Sequence, residues 1–186
     1  MSQVKVSGNA SGTGVFEIAA PNSNTNRTLT LPDNTGTLVS TGSTFAGTGP
    51  AFSAYPSANA TISAATYTKV ILNTEDFDTA SAFDSTTNYR FQPLVAGYYQ
   101  INFVATMPQI ATSNTNSFVA LYKNGSLYKA GGYQNTAGQQ ANCSWSGLVY
   151  LNGSTDYLEM YVYTTAASVT LVASYTNCSG FLARAA

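Results

Sequence analysis

The sequence of 186 residues contains no histidine, and only 8% of its residues are charged, against about 25% in typical soluble domains. Without histidine the chain lacks the commonest general base, the commonest metal ligand and every Ser–His or Cys–His nucleophile pair. Seven basic and eight acidic residues provide no basic surface for a phosphate backbone or an anionic membrane. We therefore expect a protein without catalytic activity or cofactor, which neither binds nucleic acid nor inserts into a membrane.

Other absences narrow the class of protein further. The N-terminus has no apolar signal segment, and no apolar run approaches the length of a membrane span. Two cysteines, Cys143 and Cys178, leave a disulfide and two free thiols open, and the missing signal segment favours free thiols. The helix formers Glu, Lys and Leu are scarce, whereas 13 Tyr and 9 Phe, with Val and Thr, favour strands.

Residues 1–50 differ from the rest of the chain, because they are rich in Gly, Ser, Thr and Asn and poor in aromatics. Short apolar alternations appear at 15–18, 29–31 and 38–39, separated by turns that begin at Pro21 and Pro32. Such short strands cannot bury a face alone. The segment is therefore either disordered or paired with copies of itself in an oligomer, and residues 40–50 have the composition of a linker.

Residues 51–186 form a second domain with many short strands, the pattern of an antiparallel sandwich or barrel. We predict strands at 52–55, 67–72, 89–91, 98–106, 117–122, 126–130, 143–151, 157–163, 169–172 and 178–183. Tyr99, Ile101 and Phe103 should face the core, as should Leu158, Met160 and Val162, whereas Tyr157, Glu159 and Tyr161 should face outward. The Asn124-Gly125 pair predicts a hairpin.

An ordered series of landmarks runs through this second domain. It comprises Val70-Ile-Leu-Asn73, Phe83-Asp84, Tyr89-Arg-Phe91, Gly97-Tyr-Tyr99-Gln-Ile101-Asn-Phe103, Leu121-Tyr-Lys-Asn-Gly125, Gly147-Leu-Val-Tyr-Leu151 and Ser179-Gly-Phe-Leu182. The series resembles the globular domain of complement component 1q, a tumour necrosis factor (TNF)-like jelly roll, over residues 52–183. The turn from Gly153 to Asp156 is longer than the Gly-Asp step typical of that family.

A separate motif lies in the N-terminal segment: Ala20-Pro21, then Asn26-Arg-Thr-Leu-Thr-Leu-Pro-Asp33, then Gly36-Thr-Leu38. It resembles a repeat unit in the stems of bacteriophage tail fibres and related virion proteins. Together the two resemblances imply a phage fibre, with a short β stem and an intertwined homotrimeric jelly-roll head. They also imply that the protein is assembled in the host cytoplasm and lies in the phage tail, with its N-terminal segment bound to another tail or baseplate protein.

In such a topology the strand directions alternate along the chain. The long connections at 73–88, 107–116, 131–142 and 164–177 then gather at the end away from the stem, and the tight turns at 93–96, 124–125 and 152–155 lie at the base. Cys143 and Cys178 should begin two strands separated by a third, about 9–10 Å apart. Because a disulfide requires Cα atoms closer than about 7 Å, we predict free thiols.

Long loops on a rigid scaffold often bind ligands. The loop around Tyr133 combines an aromatic ring with amides, and such groups suit the C–H faces and hydroxyls of sugars. The candidate receptor-binding residues are Tyr133, Gln134, Asn135, Gln139 and Gln140, with Asn114, Asn116 and Tyr175 joining from a neighbouring subunit. The alternative interpretation is an ordinary polar loop that amides keep soluble.

Carboxylates suggest two further sites. Glu75, Asp76, Asp78 and Asp84 are candidate calcium ligands, although their spacing matches no calcium loop and a solvated loop is the alternative. Asp156 and Glu159 could form a glycosidase pair, but we find nothing in the sequence that would bury either carboxylate. The outward Tyr157 and Tyr161 suit either a binding face or cross-strand stacking.

The leading hypothesis is a virion fibre protein that attaches a phage to a bacterial surface glycan through multivalent, individually weak contacts at three identical tips. The second hypothesis is a structural or decoration protein whose jelly roll only trimerises and caps the stem. The third, a depolymerase, lacks the catalytic residues that it would need.

Overall fold

The computed structural model describes residues 49–108, 115–136, 140–167 and 169–186, together with 11–15, 17, 19, 22–26 and 28 near the N-terminus. By its internal contacts the chain divides into Met1–Ser40 and Thr41–Ala186. The strands of the described residues all lie in the second unit, the head. Among the described residues no helix has both the length and the apolarity that a membrane span requires.

Within its described residues the head contains thirteen strands and one short 3₁₀ turn. The strands are β1 Ala51–Tyr55, β2 Ala60–Ile62, β3 Thr68–Lys69, β4 Thr74–Asp78, β5 Phe83–Asp84, β6 Arg90–Phe91, β7 Ala96–Met107, β8 Thr115–Lys123, β9 Ser126–Thr136, β10 Ala141–Asn152, β11 Leu158–Thr164, β12 Val169–Leu171 and β13 Asn177–Ala185, and the turn is Ala173–Tyr175. They form two antiparallel sheets, ordered β10-β7-β13-β1-β4 and β5-β6-β11-β8-β9; β3 also pairs with β11, and β2 pairs with β12. This is the sandwich that the strand pattern predicts.

The core lies between the two sheets and is built from alternating residues of the long strands. Tyr99, Ile101 and Phe103 of β7 are buried, as are Leu158, Met160 and Val162 of β11, so both predicted core faces are confirmed. Phe91 is fully buried in the core, where its ring stacks on Phe52 with centroids 4.4 Å apart and meets Tyr99 edge-on at 5.3 Å. Burial raises the pKa of Tyr99 to about 12, and its hydroxyl donates to the carbonyl of Val95.

The turns follow from residues that tolerate a left-handed backbone. Asn124 and Gly125 have φ values of 54° and 75°, which confirms the predicted hairpin between β8 and β9. In the turn after β10, the side-chain oxygen of Asn152 accepts hydrogen bonds from the backbone N–H groups of Ser154, Thr155 and Asp156. This side chain therefore organises the longer turn.

The prediction of free cysteines is confirmed, and the strand order behind it is correct. Cys143 of β10 and Cys178 of β13 lie on either side of β7, where they pair in register with Ala105 and Phe103. Both thiols are free and buried. Desolvation by burial raises the pKa of Cys143 to about 12 and that of Cys178 well above its ordinary value.

Two strand predictions differ clearly from the structure, and three short strands were not predicted. Residues 67–72 supply only the two-residue β3, because Val70 and Leu72 are drawn into the core and the Leu72 N–H turns back to the Val70 carbonyl. Strand β9 continues to Thr136, so the loop predicted at 131–142 is mostly strand. The short strands β2, β4 and β5 carry little apolar alternation, and they were not predicted.

The prediction of one long loop at 73–88 is also wrong, because β4 lies within this range and runs antiparallel to β1. We call the end of the sandwich near Met107 and Ala141 the apical end, and the end near Ala51 and Ala185 the basal end. Strand β4 descends from apical to basal, and residues 79–95 then lie at the basal end. The connection between β1 and β4, residues 56–73, takes the apical place instead.

Candidate functional site

Two of the candidate receptor-binding residues meet at the apical end of the sandwich. Tyr133, near the end of β9, is 61% exposed, and its hydroxyl donates a 2.6 Å hydrogen bond to the side-chain oxygen of Asn116. Asn116 is held in place because its backbone N–H donates to the hydroxyl of Thr165 and its carbonyl accepts from the Thr165 N–H. The result is an exposed aromatic ring fixed beside an amide, a combination that suits a sugar.

Two other candidates meet at Asn142, a residue that the sequence did not single out. Gln134 donates from its side-chain amide to the Asn142 carbonyl at 2.7 Å and accepts from the Asn142 N–H at 3.0 Å. The side-chain amide of Gln140 and the hydroxyl of Thr106 both donate to the Asn142 side-chain oxygen. Gln134 therefore joins β9 to the start of β10, and its amide is largely occupied by protein groups.

The four remaining candidates are Tyr175, Asn135, Asn114 and Gln139. Tyr175 ends the 3₁₀ turn and is 64% exposed, and its side chain contacts neither group above through any hydrogen bond within the described residues. Asn135 lies on β9 in register with Asn116. Asn114 and Gln139 fall outside the described residues. The structure thus groups Tyr133 with Asn116 and Gln134 with Gln140.

The candidate calcium ligands are separated, and each described contact of theirs is with the protein. Asp76 accepts a hydrogen bond from the Ser53 hydroxyl, and Asp78 accepts from the N–H groups of Ala80 and Phe83. Glu75 lies on the same strand, β4, paired with Ala54 of β1. Among the described residues no group of three or more carboxylates, thiols or imidazoles is placed to hold a metal ion.

Asp84, the fourth candidate, caps the basal turn that follows β5. Its carboxylate accepts from the backbone N–H groups of Thr86, Thr87 and Asn88 and from the Asn88 side chain. These hydrogen bonds, led by the one from Thr87, hold the pKa of Asp84 far below its usual range. The carboxylate thus organises its own turn.

The expectation that nothing buries Asp156 and Glu159 is wrong. Asp156 pairs with Lys123 at 2.8 Å and accepts from the side chain of Asn124 at 2.7 Å, and these partners cover it at the basal turn. Glu159 faces outward on β11 as predicted, but Lys69 of β3 lies over it and pairs with it at 2.5 Å. Lys69 was not recognised as the partner of Glu159, because its strand was predicted but the pairing of that strand with β11 was not.

The Asp156 network predicts a dependence of stability on pH. Hydrogen bonds from Lys123 and Asn124 lower the pKa of Asp156. Because the folded pKa lies below the unfolded value of about 3.9, the stabilisation is complete above pH 4 and is lost as pH falls through the folded pKa. We expect Asp156→Asn to lower the free energy of unfolding by about 2 kcal/mol at pH 7 and by much less at pH 2.

Urea unfolding of the wild type and of Asp156→Asn at pH 7 and pH 2 measures this difference. Glu17→Gln, outside the head, is the control and should change neither value. An equal loss at both pH values would show that the ionised carboxylate contributes nothing.

The outer face of the five-stranded sheet carries large exposed apolar side chains. Leu148 of β10 and Phe181 of β13 are 57% and 49% exposed and lie on either side of Gln100 in register. Beside them Tyr98 and Tyr150 pack together, with ring centroids 5.4 Å apart. We call this surface, defined by Tyr98, Leu148, Tyr150 and Phe181, the apolar face. A depression of about 500 Å³ lies at its basal edge, between Tyr98, Leu148 and the C-terminal residues 183–186.

The outer face of the opposite sheet carries aromatic rings. Phe118 of β8 stacks on Tyr163 of β11 at 4.7 Å, and Tyr122 of β8 stacks on Tyr161 of β11 at 4.0 Å. Tyr67 lies at an angle to both pairs, 5.1 to 5.8 Å from three of these rings. We call these five residues the aromatic patch. Beyond it, at the basal end of β11, the guanidinium of Arg90 lies 4.3 Å from the Tyr157 ring.

Element order, sheet order and core together define the head as an all-β jelly roll of the TNF and complement 1q type, as predicted. Among solved structures, the chain is similar to an Eiger TNF from S. frugiperda, with 12% identity and a TM-score of 0.56 over 75% of this chain and 94% of that one. It is similar to the globular domain of zebrafish complement 1qA, with 16% identity and a TM-score of 0.54 over 74% and 99%.

The chain is also similar to the PRD1 vertex protein P5, with 18% identity and a TM-score of 0.57 over 74% of this chain and 99% of that chain. No protein-family model matches the sequence, and no curated protein does. At these identities the likeness concerns the fold.

Proposed function

We propose that the chain is a phage virion fibre protein whose trimeric head attaches to a glycan on the bacterial surface. The observation that carries this proposal is the exposed Tyr133 ring, hydrogen-bonded to Asn116 on the rigid apical end of the sandwich. The N-terminal segment, with its fibre-like motif, would bind another tail or baseplate protein. The similarity of the head to a viral vertex protein supports a location in the virion.

The apolar face supports the trimeric part of the proposal. Monomeric proteins rarely expose a contiguous group of large apolar side chains, and such a surface is typical of a protein interface. The polar groups at its centre, Gln100, Ser146 and Asn102, are neutral and hydrogen-bond to one another. Three copies packed through this face would bury it and leave the apical end and the opposite sheet accessible.

A binding assay with intact bacteria tests the proposal. We expect the full chain to bind some strains of a bacterial panel, and Tyr133→Ala to lower that binding about tenfold, because a stacking contact of about 1 kcal/mol is lost at each of three tips. Tyr128→Ala is the matched control, since Tyr128 is an exposed tyrosine near the basal end of the same strand. Equal binding by both variants would reject the apical site.

One observation favours a second candidate, a structural or decoration protein whose head only trimerises and caps the stem. The apical amides of Gln134 and Gln140 donate to Asn142, which leaves them less available to a ligand. A wild-type chain that trimerises but binds no strain in the panel would support this candidate.

A further inference from the structure

In the aromatic patch, stacking between neighbouring strands explains the two parallel pairs but not the position of the Tyr67 ring. Phe118 and Tyr163 are direct partners on adjacent strands, and their rings are nearly parallel at the spacing of those strands. Such rings stand upright on the sheet, so their edges point away from it. Tyr67, which directly precedes β3, makes angles of 50° to 64° with three of these rings. Two of the three belong to β8, which lies across β11 from β3. The Tyr67 ring therefore covers part of the stacked pairs, and Tyr67 itself remains partly exposed.

The backbone holds Tyr67 in this position. The segment before it is anchored where the Ala65 N–H donates to the Thr164 carbonyl at 2.7 Å. The segment after it is β3, which pairs with Val162 and Tyr161 of β11. A ring held between two anchored points loses little conformational freedom when a ligand stacks on it, which favours binding.

The hydroxyls around Tyr67 have no hydrogen-bond partner in the part of the chain that the structure describes. Within the described residues no hydrogen bond involves the hydroxyl of Tyr67, Tyr122, Tyr161 or Tyr163. Burial raises the pKa of Tyr122 and of Tyr161, so both hydroxyls are partly desolvated. Smaller contributions come from the Tyr67 phenol at Tyr122, and from the Glu159 carboxylate and then the phenols of Tyr122 and Tyr157 at Tyr161. A partly desolvated hydroxyl without a partner is stabilised by any ligand that supplies one.

The charge of the patch identifies the class of ligand. Glu159 of β11 and Lys69 of the adjoining β3 form an ion pair, so their charges offset each other beside the patch. A neutral surface of ring faces and hydroxyls is complementary to a neutral sugar, whose C–H groups stack on an aromatic ring while its hydroxyls donate and accept hydrogen bonds.

We propose that Tyr67, with the hydroxyls of Tyr122 and Tyr161, forms a second carbohydrate site on the side of the head, which binds a neutral hexose unit of the surface glycan. This inference rests on the proposed function for the nature of the ligand. The site lies on the sheet opposite the apolar face, and trimerisation would leave it open. Each trimer would then carry three lateral sites, one on each subunit, in addition to the three sites at its apical end.

An array of neutral and acidic bacterial polysaccharides, probed with the full-length trimer, tests this site. We expect Tyr67→Ala to weaken binding to neutral polysaccharides at least tenfold and Tyr67→Phe, which keeps the ring, to weaken it less than threefold. Tyr161→Phe, which removes only a hydroxyl, should weaken it threefold to tenfold. Tyr128→Ala is the control for loss of an exposed tyrosine elsewhere, and thermal unfolding of each variant verifies that the head is folded.

The outcomes separate this inference from the proposed function. If the wild type binds neutral polysaccharides and folded Tyr67→Ala binds them equally well, the lateral site is wrong while the proposed function stands. Selective binding of acidic polysaccharides, unchanged in Tyr67→Ala, likewise overturns the lateral site. A wild-type trimer that binds neither array glycans nor bacteria overturns the proposed function and the lateral site together.

Discussion

Replacing Phe91 by alanine is expected to lower the free energy of unfolding by about 3–5 kcal/mol. Phe91 is fully buried, and it contacts two of the largest core side chains, Phe52 and Tyr99, from a strand of only two residues. Alanine would leave a cavity that this short strand is too constrained to close. Because single domains are stable by only about 5–15 kcal/mol, this loss is a large share of the total.

Urea unfolding of the full chain measures the effect. Phe91→Leu should give an intermediate loss, since it retains most of the volume, and Leu127→Ala is a control at an exposed position, expected within about 0.5 kcal/mol of the wild type. A loss of less than about 1 kcal/mol for Phe91→Ala would contradict the burial and ring packing of Phe91 described above.

Leu148→Glu is expected to convert the proposed trimer into monomers. Leu148 is among the most exposed large side chains of the apolar face and stands next to Gln100 and, beyond it, Phe181. A carboxylate there would have to be buried without a partner in each of three subunits, and an unpaired buried charge costs several kcal/mol. The fold of the subunit should survive, because the side chain points away from the core.

Light scattering during size-exclusion chromatography measures the change, with an expected fall in mass from about 58 kDa, three times 19.5 kDa, to that of one chain. Leu94→Glu is the matched control, since Leu94 is 78% exposed in the basal connection before β7. Trimers in Leu148→Glu would show that another surface assembles the head, and a monomeric wild type would reject the trimer itself.

Most of the head architecture could be predicted because its long strands have one buried face. The alternation of Tyr99, Ile101 and Phe103 with Gln100 and Asn102 follows directly from the period of a strand. The Asn124-Gly125 turn follows from the backbone that those residues tolerate. Because the strand order was correct, the prediction of free cysteines was correct as well.

The short strands could not be predicted, because they are set by partners distant in sequence. Thr74–Asp78 carries mainly carboxylates, and it forms a strand because β1 offers it an unpaired edge. Charged side chains on such an edge strand also discourage pairing with other chains. Because this strand descends along β1, the candidate calcium ligands do not gather in a loop at the apical end, as was predicted.

The candidate sites depended on the same long-range contacts. Tyr133 and Asn116 were both identified from composition, but their hydrogen bond follows from the register of β8 and β9 beyond a bulge. Tyr67 was predicted only as a strand residue, since nothing local indicates that its ring crosses β11. Asn142 was overlooked because its importance lies in its bonds to Gln134 and Gln140.

The two cysteines bear on the route by which such a protein would reach its target. Both sulfur atoms are enclosed by the core and remain protonated at any physiological pH. Thiolates, not thiols, react with oxidants and disulfides, so neither cysteine in the folded head is available for covalent cross-linking. The two thiols of the folded head are therefore expected to stay unmodified in reducing surroundings and in aerated medium alike.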